Sequence, residues 1–260
     1  QQTVAARPPS RPQPVAASAL PTALSASAVE SLRQCPYRFF ARSVLRLSER
    51  DEVDEPLRKR DYGDWLHATL DHFHRQRQPG QDDLLALQRA ADLAMQALAL
   101  DPAALLAYRA SLAQVLPAYR DWLHAHEAEG WHWVAGEDSL EARPADWAPQ
   151  TLRGRIDRID AGAGGVRLVL DYKTGGAPAL RRRVKQPLED TQLPFYVALL
   201  EAQGDAGEIR AAYLALDEAD GPRLLTHEGV QDTAAVLLHE VGGELQRLRA
   251  TWVRPATLPA

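Results

Sequence analysis

In the stretch GVRLVLDYKTG, residues 165–175, Val166, Leu168, Leu170 and Tyr172 alternate with Val169, Asp171 and Lys173, the period of two that marks a strand with two distinct faces. Leu152–Asp160 alternates in the same way, and the two runs are joined by AGAGG, whose glycines accept the positive φ angles of a tight reversal, so the pair predicts a β-hairpin. Upstream the period changes. Val29, Leu32, Tyr37, Phe40 and Val44 predict an amphipathic helix over about 27–46, started by a Ser27–Glu30 capping box and disturbed at Pro36. After the charged loop SERDEVDEP, Tyr62, Leu66, Leu70 and Phe73 predict a second helix that carries Gly63 and His67. Residues 82–129, rich in Ala and Leu, predict two or three further helices. Strand-like segments begin at Trp131. A basic loop follows Lys173, then a helix over DTQLPFYVALLEAQ capped by Asp190 or Thr191, strands near 209–217 and 223–229, and a last helix near 231–250.

Helices followed by alternating strands and helices give an α/β class. The chain has 260 residues, of which 45% are apolar and 25% charged, enough to bury a full-sized core. The Pro/Ala-rich residues 1–20 are expected to be a linker before a domain over 21–260, and the whole is read as a piece of a longer polypeptide. No run approaches the roughly 18 apolar residues of a membrane span, so no membrane partner and a cytoplasmic location are expected. One cysteine, Cys35, excludes an intrachain disulfide. The net charge of −5 argues against nucleic-acid binding by bulk electrostatics, although the clusters Arg153/Arg155/Arg158 and Arg181/Arg182/Arg183/Lys185 offer cations to phosphates.

Asp171 and Lys173 share one face at a strand end, and a carboxylate on the partner strand would complete a site for metal-assisted phosphodiester hydrolysis. Carboxylates hold a hard cation such as Mg²⁺ or Mn²⁺, and the ammonium orients a water and offsets charge on the phosphate. Asp157 is the candidate second carboxylate, with Asp160 its rival. His67, Asp71 and His74 form a helical stripe on which a zinc site is conceivable, but Asp71 and His74 are read as polar border. The His-Glu pairs at 126–127, 227–228 and 239–240 lack the second His of a zinc-protease helix. Trp131, Trp133 and Trp147 are read as sheet packing in preference to base stacking.

The motifs GRIDRID, LDYKTG and QLPFY, preceded in order by LSASAVESLRQCPYRFFARSVLRL and YGDWLHATLDHF, resemble the nuclease signature of the RecB/AddB branch of the PD-(D/E)XK superfamily from about Leu24 to the end. The resemblance implies a restriction-endonuclease-like core, a small mixed central sheet flanked by helices, with an N-terminal helical elaboration at about 81–129. It implies that His67, Asp157, Asp171 and the backbone carbonyl of Tyr172 bind the metal, that Asp157, Asp171 and Lys173 are catalytic, and that Gln192 and Tyr196 border the site or contact DNA. It implies a metal-dependent deoxyribonuclease of DNA repair and recombination, more an exonuclease than an endonuclease, working with a helicase-like region or repair subunit. The alternative is a non-catalytic DNA-end-binding or docking module. Many members of this branch hold an iron–sulfur cluster with one cysteine near the first helix and three near the C-terminus. Cys35 stands at the first position and the other three are absent, so no cluster is expected with this sequence, and Cys35 is read as a buried small residue.

Overall fold

The computed structural model of the chain describes residues 20–47, 59–101, 105–186 and 188–251. The expected linker, apart from Leu20, and the loop SERDEVDEP lie outside these residues. Among them are eight strands. A five-stranded mixed sheet holds β2 (His132–Ala135), β5 (Arg158–Ala161), β6 (Arg167–Lys173), β7 (Ile209–Ala215) and β8 (Arg223–Thr226) in the order β2-β5-β6-β7-β8. Only β6 and β7 run parallel in it. A smaller sheet places β4 (Thr151–Ile156) between β1 (Ala23–Leu24), which is parallel to it, and β3 (Asp138–Ala142), which is antiparallel.

Helices cover both faces of the larger sheet. On one side lie α3 (Lys59–Gln76), α4 (Asp83–Ala97) and α5 (Leu106–Ala128), packed through Trp65, Leu66, Leu70, Phe73, Leu87 and Tyr119. The expected helical elaboration thus supplies α4 and α5, which share one core with α3 and with Tyr172 and Leu214 of the sheet. On the other side lie α1 (Ala26–Gln34), α7 (Gln192–Ala202) and α8 (Val230–Thr251), around Val169, Ala211 and Tyr213. The α7 helix is buried from Leu193 to Leu200, between the sheet and α8. Pro194 falls in its first turn, where no intrahelical donor is needed. Alternation in β6 holds: Leu168, Leu170 and Tyr172 face the α3–α5 side, and Val169 faces α7.

Three elements differ from expectation, the first of them in two ways. The helix predicted over 27–46 is divided. It ends at Cys35, and Pro36 opens α2 (Pro36–Phe39), followed by a π turn over Phe40–Val44. Pro lacks the N–H needed to continue a helix but suits a first turn. The cap of α1 is Ser25, whose Oγ accepts from Ala28 N at 3.2 Å, and Ser27 lies inside the helix. The expected basic loop after Lys173 contains α6 (Ala177–Lys185), anchored by buried Ala177 and Leu180. Finally, Leu152–Asp160 is two strands in two sheets, parted at Asp157. A period of two persists across such a break, so alternation cannot reveal it.

Candidate active site

The break at Asp157 sets up the site. The β5–β6 ladder ends with the Arg158–Leu170 pair, so the next residues along, Asp157 and Asp171, leave the ladder side by side. Tyr172 N donates to Asp157 Oδ2 at 2.7 Å. A strand residue's N–H and C=O point to the same side, so the Tyr172 carbonyl is aimed toward Asp157 as well. Asp157 Oδ1 lies 3.4 Å from Nδ1 of His67, which α3 brings over the strand end, and the His67 ring meets the Tyr172 ring edge-on at 5.6 Å.

A further carboxylate enters from the turn between β2 and β3. Glu137 Oε1 is also 3.4 Å from His67 Nδ1, and ligand atoms of His67, Glu137 and Asp157 all lie within 4.8 Å of one another. This is the group of possible metal ligands found among the described residues; Asp71 and His74 lie outside it. Glu137 is held there by clamps, against the strain of its backbone. Its φ is +54°, its N–H donates to Ile156 O at 2.8 Å, and Arg155 Nε grips its Oε2 at 2.7 Å. Arg75 of α3 bonds to Gly136 O and to Asp138 Oδ1, on either side of it. A Cβ at Gly136 would sit 2.7 Å from the Asp157 carbonyl oxygen, so only glycine allows the turn to come this close. Sequence reasoning missed Glu137. The available signal was a Gly-Glu pair at the mouth of a strand, which takes on meaning only once the turn is placed.

Lys173 Nζ pairs with Asp171 Oδ2, and Gln192 Nε2 donates to Asp171 Oδ1 at 2.6 Å and to the Tyr196 hydroxyl at 3.1 Å. The α7 helix approaches closely enough for this because Gly154, of GRIDRID, leaves room. A Cβ there would come within 3.3 Å of Phe195, Leu199 and Tyr196. The structure therefore brings together His67, Asp157, Asp171, Tyr172, Lys173, Gln192 and Tyr196, and adds Glu137.

Crowded acids and burial tune the group. Burial and the Asp157 charge push the Asp171 carboxyl up to about 7, against the pull of Lys173. Burial works to lower His67, but Asp157 and Glu137 override it and raise the imidazole to about 10. Burial and the Asp171 charge also hold the Tyr196 phenol above its ordinary value. Glu137 Oε1 and Asp171 Oδ2 are buried, and each has a single ion-pair contact, to His67 and to Lys173, with no further hydrogen bond. Carboxylate oxygens left in this state beside an imidazole fit a hard divalent cation, which neutralises them and takes oxygen and nitrogen donors.

Other expected participants lie elsewhere. Asp160 faces the opposite side of the sheet, fully buried against Arg158 and His126, so it is no rival to Asp157. Arg158 is likewise buried and cannot meet phosphates, while Arg153 pairs with Glu141. Asp71 bonds to Arg75, and buried His74 bonds to Tyr119. Trp131 and Trp133 stack on His126 and His74, and Trp147 is buried beside Gly242 of α8. Cys35, expected to be buried, is half-buried at the joint between α1 and α2. No helix among the described residues is long and apolar enough to cross a membrane.

A stretch of this chain is similar to an uncharacterized protein of Rickettsia bellii (strain RML369-C), 25% identical over 165 residues that make up 61% of this chain and 19% of that protein. The chain thus spans about a fifth of the length of that relative. Residues 23–259 match the family model of the PD-(D/E)XK nuclease superfamily, a span that takes in both sheets and every residue of the site. The chain belongs to the PD-(D/E)XK nuclease superfamily.

Proposed function

We propose that the chain is a metal-dependent deoxyribonuclease of the RecB/AddB type, hydrolysing DNA phosphodiesters with Mg²⁺ or Mn²⁺. The observation that carries this reading is the convergence of His67, Glu137 and Asp157 within 4.8 Å, beside the Asp171–Lys173 pair. His67, Asp157, Asp171 and the Tyr172 carbonyl would hold the cation, with Glu137 as a further donor. When bound, the ion supplies Lewis acidity toward the phosphate and lowers the pKa of a water.

The chain's own residues do the rest. Gln192 donates at once to Asp171 and to Tyr196, which fixes the carboxylate's orientation. Lys173, on the same strand face, places a cation where negative charge grows as the water oxygen joins phosphorus. It also donates to that water and orients it. The P–O bond to one sugar breaks, and the departing alkoxide takes up a proton, so a phosphomonoester and an alcohol result. Arg181, Arg182 and Lys185 project from α6, just past Lys173, and offer phosphate contacts along the approaching strand.

The motif order supports an exonuclease acting near DNA ends in repair or recombination, in the cytoplasm, with translocation supplied by a helicase-like region or subunit. A matching stretch that forms only 19% of the Rickettsia bellii protein accords with a module in a larger machine. The direct test is cleavage of end-labelled single- and double-stranded DNA with Mg²⁺, Mn²⁺ or EDTA. Metal-dependent cleavage is expected, lost in EDTA and in Lys173→Ala. A folded protein that binds DNA ends and cleaves under none of these conditions would instead be a docking module.

A further inference from the structure

Behind the site, on the α3–α5 face of the sheet, lies a buried polar assembly for which the proposed hydrolysis has no direct use. Arg158 has no exposed side-chain surface, nor does Asp160, and Arg158 Nε donates to Asp160 Oδ1 at 2.7 Å. His126 of α5 bonds to the other Asp160 oxygen at 2.8 Å. Arg158 Nη1 donates to His74 Nε2 of α3 at 3.0 Å and to the Tyr119 hydroxyl of α5 at 2.8 Å. The Tyr119 hydroxyl also meets His74 Nε2 at 2.6 Å and the Tyr172 hydroxyl at 3.3 Å. The guanidinium lies over the Trp122 ring at 5.4 Å, and its Nη2 has no hydrogen-bond partner.

A buried ion pair is seldom the most stable filling for a core, because desolvation offsets most of the attraction. What this one provides is a set of directional contacts to the three segments that carry His67, Asp157 and Asp171. His74 is two turns along α3 from His67, Arg158 follows Asp157 in the chain, and Tyr172 lies between Asp171 and Lys173. Each of these three segments is thus gripped from behind by a residue close to its ligand in the chain, while Glu137 is held separately by Arg155 and Arg75. Apolar side chains would fill the same space and leave the segments able to slide, since dispersion contacts have no direction.

We propose that Arg158 is a positioning residue: through His74, Tyr119 and Tyr172 it holds the three segments bearing His67, Asp157 and Asp171 at the spacing a divalent cation requires. This rests on the metal-site reading above, and the test separates the two. The measurement is a titration with Mn²⁺, followed by the loss of the free-ion electron paramagnetic resonance signal, together with thermal unfolding.

Arg158→Met with Asp160→Asn removes both buried charges, keeps a hydrogen-bonding partner for His126, and leaves the His74–Tyr119 bond in place. The variant is expected to fold with a melting midpoint near the parent's, and to bind Mn²⁺ about tenfold to a hundredfold more weakly, as loss of outer-shell support does. Its kcat at low Mn²⁺ should fall with KM for DNA unchanged, and saturating Mn²⁺ should restore it, which a general loosening of the fold would not allow. A folded double variant with parental Mn²⁺ affinity overturns the inference. Should the double variant not fold, Tyr119→Phe decides, because it deletes only the hydroxyl that links Arg158, His74 and Tyr172. A several-fold weaker Mn²⁺ affinity is expected for it, and no change overturns the proposal. If the parent protein shows no Mn²⁺ binding that Asp157→Asn abolishes, the metal-site reading itself fails, and this inference with it.

Discussion

On the α7 side of β6, three carboxylates, Glu137, Asp157 and Asp171, crowd around one imidazole and one ammonium, and two of their buried oxygens have only an ion-pair contact, to His67 and to Lys173. On the α5 side, Asp160 is more deeply buried, yet both its oxygens are taken, by Arg158 and His126. The two regions are built from alternate residues of the same two strands. Each buries acid, but Asp160 has both oxygens closed by hydrogen bonds, while Glu137 Oε1 and Asp171 Oδ2 keep acceptor capacity beyond one ion-pair contact each. A protein stabilises the first arrangement by folding. The second leaves acceptor capacity unfilled, and that incompleteness marks a candidate site more sharply than burial or charge alone.

Substitutions on the two sides should therefore act on different observables. The largest effect belongs to chemistry: Lys173→Ala should lower kcat by about a hundredfold to a thousandfold with the fold unchanged, read by single-turnover cleavage beside circular dichroism. Removing one acid from each side comes next. Asp160→Asn strands the Arg158 charge in the interior and should cost about 3 kcal/mol in urea unfolding. Asp171→Asn, in EDTA at pH 8, should add stability on the order of 1 kcal/mol, because an acid raised to about 7 is ionised there at a cost. Equal destabilisation by both would erase the distinction between the sides. Mn²⁺ supplied at a hundred times its dissociation constant should then stabilise the parent by about 2.7 kcal/mol and Asp171→Asn by much less, as seen in melting midpoints.

The sign of the pH dependence sharpens the contrast. His67 is raised from 6.5 to about 10, so its contribution is fully present below pH 6.5 and is lost as pH climbs toward 10. Metal-free protein should thus lose stability over that window, and Asp157→Asn should flatten the slope. Mn²⁺ affinity should move the other way and strengthen as pH rises, since the cation displaces the protons of Asp171 and His67; proton release is measurable by calorimetry in two buffers. Across the sheet, burial and Arg158 hold His74 well below its ordinary value. Its contribution is present above pH 6.5 and fades as pH falls, so the stability gap between parent and His74→Gln should narrow toward pH 5. The smallest effect is expected at the residue shared by both sides. Tyr172→Phe loses one buried hydroxyl contact and should cost about 0.5–1 kcal/mol with a near-parental cleavage rate at saturating Mn²⁺, because the backbone that serves the site remains.

Much of the front side was legible in the chain. Alternation in LDYKTG set Asp171 and Lys173 on one face, helical spacing set Gln192 beside Tyr196, and the motif order joined them to His67 and Asp157. What stayed hidden depends on contacts between distant segments. Nothing in the residues around Glu137 says that a left-handed turn will carry it to His67, a residue of another element. An arginine within GRIDRID reads as a surface cation, because Arg is rarely buried without a partner, and its partners here come from α3 and α5. The basic run after Lys173 reads as a loop because its apolar anchors are only Ala177 and Leu180.

The division of one extended run at Asp157 has a mechanical consequence. Glu137 adjoins the small sheet through β3, Asp171 belongs to the large sheet, and Asp157 is the single residue between β4 and β5. The chain crosses between the sheets at two adjacent places, at Asp157 and at the Gly136–Glu137 turn that joins β2 to β3, so two of the clustered acids stand on the crossings themselves. Sliding of one sheet against the other would therefore be felt first in the spacing of Glu137 and Asp157, as a gap between jaws is felt at the hinge.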